Sequence, residues 1–66
     1  MMSAVETELQ MVERHVREGE RHLTSQREII ARLRARGRDT SEADRLLTNL
    51  EDLQRLHLEH LRPLQH

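Results

Sequence analysis

A single apolar stripe constrains the fold of this chain more than any other feature in it. Val5, Leu9, Val12, Val16, Gly19, Leu23, Gln26, Ile30 and Leu33 follow a strict 4-3-4-3 spacing. That is the spacing of the a and d positions of a heptad, which share one face of a helix. All of them except Gly19 and Gln26 are apolar. The stripe predicts a long amphipathic helix whose seam is satisfied only by another helix. It states a packing need and names no chemistry.

The boundaries follow from capping residues. Ser3-Ala4-Val5-Glu6 has the form of a capping box, in which the serine hydroxyl accepts an orphan N–H and Glu6 reaches back. Glu6 and Glu8 also suit the positive end of the helix dipole, and Arg32, Arg34 and Arg36 the negative end. Gly37 fits the C′ position, where positive φ costs glycine little. Helix 1 is therefore expected over about residues 4–36 and a tip over 37–40. Thr40 or Ser41 caps a second helix, with Ser41-Glu42-Ala43-Asp44 as a further capping-box match. Helix 2 is expected over about residues 41–61, ended by Pro63. The predicted fold class is all-α: an antiparallel two-helix hairpin, coiled-coil-like, dimerising into a four-helix bundle.

The expectation of a dimer rests on faces left uncovered. At 100° per residue, Leu46, Leu50, Leu53, His57, Leu61 and Leu64 share one arc of helix 2. Leu47 and Leu58 widen it on one side and Leu56 on the other. The arc covers roughly half the helix, more than one partner helix can bury. Helix 1 is also the longer, at roughly 50 Å against roughly 30 Å. Counting outward from the tip pairs Ile30 with Leu47, Leu23 with Gln54 and Val16 with Leu61. Val5, Leu9 and Val12 then overhang. A second copy would cover both surfaces, using Val5, Leu9, Val12, Val16, Leu23, Ile30, Leu46, Leu50, Leu53, His57 and Leu61.

Composition points the same way. The chain has 66 residues, no Cys and no Phe, Tyr or Trp. A core built from so short a chain is marginal without disulfides, metal or oligomerisation. Disulfides and thiolate metal sites are excluded, so a homo-oligomer is the expected source of extra burial, with another helical protein as a further kind of partner. The 11 basic and 12 acidic residues give a net charge of −1, so there is no general attraction to nucleic acid or membrane. No cationic and apolar leader opens the chain, and no apolar run reaches the ~18 residues of a membrane span. A cytoplasmic protein is expected.

Histidine is the residue type that could carry chemistry. His15 and His22 share a face but lie about 10 Å apart along the axis, too far for one ion. His57 and His60 are close enough to share a metal, but no Glu-x-x-His or His-Glu-x-x-His motif is present. His57 sits mid-arc on helix 2, where counting from the tip brings it to Gly19 or Glu20. A slot left by Gly19 would take its ring, and a pH-sensitive interface is the sharper alternative. Gln26 is a polar residue in the seam, of the kind that fixes register by pairing with its own copy or with Gln54. The arginines from Arg21 to Arg38 spread around the helix and lack aromatic neighbours for base stacking. There is no nucleophile with a His–acid pair and no phosphate loop. The reading is a non-enzymatic structural or interaction module without cofactor or metal site. The alternatives are a small nucleic-acid-associated regulator using the Arg-rich tip and a His-based metal-binding bundle.

The Glu-Gly-Glu-Arg-His run at 18–22, Gln26-Arg27, the Gly-x-Asp-Thr tip and the Leu-His-x-x-His run at 56–60 resemble small uncharacterised helical-hairpin proteins of proteobacteria. The resemblance covers most of the chain. It implies a bacterial helical hairpin and carries over no activity.

Overall fold

A computed structural model describes residues 5–65. They form α1 (Glu8–Ala35), α2 (Ser41–Leu61) and a 3-10 turn (Arg62–Leu64), with no strand among the described residues. The helices pack antiparallel: Gln26 of α1 reaches Ala43 near the start of α2, and Gln54 near its end reaches back to Val16. The result is an elongated hairpin, 50 × 30 × 15 Å.

Helix α1 starts later than Ser3-x-x-Glu6 predicts. Ser3 and Ala4 lie outside the described residues, whereas residues 5–7 are described and precede the helix. The cap is Thr7. Its hydroxyl accepts from Gln10 N at 3.1 Å, and its own N–H donates to Gln10 Oε1 at 2.9 Å. That is a complete capping box one turn further along. Glu6 is thereby freed for another partner. Arg14 donates to both of its carboxylate oxygens, at 2.9 and 3.0 Å, and to Glu18 at 3.3 Å. The Arg14 hydrogen bonds hold the Glu6 carboxyl below the usual glutamate range. The fork is solvent-exposed, so it orients the entry to the helix more than it stabilises the fold.

The tip follows glycine chemistry. Gly37 has φ +68°. Its N–H donates to Arg34 O at 3.0 Å and the Arg38 N–H donates to Leu33 O at 2.9 Å, the paired bonds of a Schellman motif. A Cβ at Gly37 would meet nothing within 4 Å, so only the backbone conformation selects glycine. Gly37→Val should therefore destabilise the hairpin by roughly 1–3 kcal/mol, because a β-branched residue is strained at positive φ. A denaturation curve matching the parent would show that the tip tolerates ordinary φ.

Helix α2 begins at Ser41 as expected, but by other means than Ser41-x-x-Asp44. Asp39 Oδ1 accepts from the Ser41 N–H at 3.0 Å and from its hydroxyl at 2.6 Å. These bonds hold the Asp39 carboxyl below the usual aspartate range. Thr40 donates its hydroxyl to Asp44 Oδ2 at 2.8 Å instead of capping a backbone N–H. The helix ends at Leu61, and Pro63 lies in the 3-10 turn that follows.

Two glutamines set the stagger of the helices. Val12, Leu23 and Ile30 are the buried apolar side chains, and Gln26 and Gln54 are buried with them. Gln26 donates to Ala43 O at 2.9 Å. Gln54 donates to Val16 O at 2.9 Å and to Glu20 Oε1 at 3.0 Å. Each carboxamide thus satisfies itself on the opposite helix, which removes the cost of burying it. Gln26 does not pair with Gln54 in this hairpin.

The register is about one turn tighter than counting from the tip suggests. Gly19 is met by Gln54, not by His57: a Cβ there would overlap Gln54 Oε1 and lie 2.7 Å from Cδ. With this stagger the end of α2 covers more of α1 than expected. Val12 is buried and Leu9 half-buried, so neither overhangs. Val5 precedes the helix and stays 86% exposed.

Candidate functional site

The stagger decides which face of α2 is consumed within the chain. Ala43, Leu47, Leu50, Gln54, His57 and Leu61 are its buried or half-buried positions, and Leu64 of the 3-10 turn continues the series. They repeat at 4-3-4-3, a second seam matching that of α1. Leu46, Leu53 and Leu56 lie to one side of it and remain about half exposed. The arc read from the sequence is therefore split between a seam facing α1 and a flank facing outward.

The two edges of the helix–helix interface differ. On one edge Arg27 pairs with Glu51 at 3.6 Å, and Glu20 accepts from Gln54. Charged side chains cross from helix to helix there and close the edge. The other edge is open and mostly apolar. His15, Glu18 and His22 of α1 face Leu50, Leu53 and His57 of α2, with Gly19 and Gln54 between them. The groove encloses about 110 Å³. Ligand pockets usually enclose roughly 300–1,000 Å³, so this one suits an inserted side chain better than a drug-sized molecule.

No family model, no curated protein and no solved structure matches the chain. What the groove does has to be argued from its own residues.

The expected interface residues separate into three groups. Val12, Leu23 and Ile30 are buried against the chain's own second helix. Leu9, Val16, Leu50, His57 and Leu61 are half-buried. Val5, Leu46 and Leu53 are exposed. Much of the stripe in α1 is thus consumed inside the hairpin. Of the expected residues on α2, Leu46 and Leu53 stay exposed and Leu50, His57 and Leu61 partly so. Gln54 is polar, yet its place in the 4-3-4-3 series from Ala43 to Leu64 marks it as a seam position.

The histidines are arranged differently from the pairing of His57 with His60. His57 meets His15 across the interface, ring centroids 5.2 Å apart and planes inclined by 36°. Burial, and then the nearby charges of His15 and His60, push the His57 ring below its ordinary pKa. Among the described residues no group of three or more His, Cys, Asp or Glu side chains is placed to hold a metal ion. No helix is long and apolar enough to cross a membrane among those residues.

Proposed function

We propose that the chain is a self-associating structural module, in which a second copy of the hairpin docks on the open edge to make a four-helix bundle. The observation that carries this reading is the unpaired flank of α2. Leu46 and Leu53 stand 48% and 49% exposed on that flank, and Leu53 lines a groove that fits a side chain.

A second copy is the occupant best matched to it. Related by a two-fold axis, each hairpin supplies both the groove and the leucines that project into its partner's groove, the self-complementary arrangement of an isologous dimer. One edge is open and the opposite edge is closed by Arg27–Glu51. Association through a single edge stops at two copies and does not propagate. The net charge of −1 opposes it little. The gain is large for so small a chain, whose buried apolar set among the described residues is Val12, Leu23 and Ile30.

Light scattering at micromolar concentration should give about twice the 7.9 kDa chain mass. Leu53→Glu should return it to the single-chain mass with the helical content preserved, because Leu53 lies outside the hairpin seam. A parent protein that melts cooperatively as a monomer overturns this reading. A variant that keeps the doubled mass moves the interface elsewhere.

A further inference from the structure

The self-association just proposed uses the leucines of the open edge and leaves its histidines without a role. His15 and His57 come from different helices and meet ring to ring at 5.2 Å. His57 Nδ1 lies 3.4 Å from Gln54 Oε1. A carboxamide oxygen only accepts, so this nitrogen carries the hydrogen and an added proton enters at Nε2. That contact suits the neutral and the charged ring alike, and the ring lies half-buried between two helices.

The charges around it give an added proton little welcome. From α1, His15, Glu18 and His22 line the same groove. Glu18 is already engaged by Arg14 at 3.3 Å. Glu20 lies beyond Gln54, from which it accepts a hydrogen bond. From α2 itself, His60 stands one turn further on and opposes protonation. The 3-10 turn adds Arg62 and no acid. Among the described residues no ion pair involves a histidine.

We propose that the His15–His57 pair is a proton-operated release: a proton on the His57 ring, set against His15, loosens α1 from α2 at the open end, and with it the edge on which a second copy docks. Only the second half of this statement rests on the self-association reading. The sign follows from the environment of His57, whose folded pKa lies below the unfolded value. The unfolded chain then binds the proton more readily. The stabilisation is complete above about pH 6.5, falls as pH drops through that value, and levels off below the folded pKa.

The test compares the parent chain with His57→Gln and His15→Gln, by thermal denaturation and light scattering at about pH 8 and about pH 5. The parent should melt at a lower temperature and associate more weakly at the acid pH. His57→Gln should lose half or more of that difference in melting temperature, and His15→Gln a smaller part of it, because burial acts on the His57 ring ahead of the charge of His15. NMR titration of the His57 ring in the parent should place its midpoint below that of a model peptide, and it decides the matter should the variants not fold. A parent equally stable at both pH values overturns the inference, as do variants that keep its full pH dependence or a His57 ring that titrates like a peptide. Acid destabilisation of a chain that is monomeric at both pH values would keep the hairpin release and refute the self-association. A dimer equally tight and equally stable at both pH values would do the reverse.

Discussion

Leu23→Ala should remove a large part of the stability of this protein. Leu23 is 6% exposed, midway along the α1 seam. Truncating a leucine buried to that degree costs ~2–5 kcal/mol, the lost transfer energy plus the cavity left behind. A chain of 66 residues has a total stability on the order of 3–10 kcal/mol. The substitution therefore takes about half of it, and the melting temperature should fall by 10 °C or more on a scale of roughly 4–8 °C per kcal/mol. Leu58→Ala is the control. Leu58 is 45% exposed, and its truncation should cost under ~1 kcal/mol. Equal effects at the two positions would mean that the α1 seam is not the core.

Gly19→Leu should be about as damaging, against the trend of helix propensity. Glycine within a helix costs up to ~1 kcal/mol relative to alanine, so on local grounds replacing it should help. Here the space belongs to Gln54, whose carboxamide lies where a Cβ at position 19 would go. A leucine drives it out. The expected cost is ~1–3 kcal/mol for overpacking, together with the Gln54 bonds to Val16 O and Glu20, each worth ~1 kcal/mol. A double-mutant cycle isolates the cause. Gly19→Ala should destabilise the parent chain, yet stabilise a Gln54→Ala background by up to ~1 kcal/mol as the helix preference reasserts itself. A gain in both backgrounds would show that Gln54 does not occupy that space.

These two positions also show where the sequence is informative and where it stops. The seam of α1, the Gly37 turn and the stop at Pro63 are legible because each depends on residues close in the chain. The start of α1 is not, because Ser3-x-x-Glu6 and Thr7-x-x-Gln10 satisfy the same local rule and only one of them begins the helix that packs. The register is harder still. Counting from the tip treats the helices as level, whereas their stagger comes from Gln54 fitting over Gly19 and from Gln26 reaching Ala43. Those contacts join distant residues. The open edge was illegible for a related reason: on a helical wheel Leu46 and Leu53 look as good a core as Leu47 and Leu50. Only the stagger tells them apart.

The Schellman turn has a kinetic consequence. It is closed by bonds between residues that are neighbours in sequence, so it can form before the helices meet. The first cross-helix clamp, Gln26 to Ala43, then spans 17 residues, and the second, Gln54 to Val16, spans 38. Each doubling of a closed loop costs about 0.6 kcal/mol more in chain entropy. Pairing should accordingly zip outward from the turn, and fluctuations should unzip it from the far end. Amide hydrogen exchange would record this as a gradient, slowest around Ile30 and Leu47 and fastest around Leu9 and Leu61. The hairpin would then be a graded spring, firm at the turn and yielding at the end where its histidines meet.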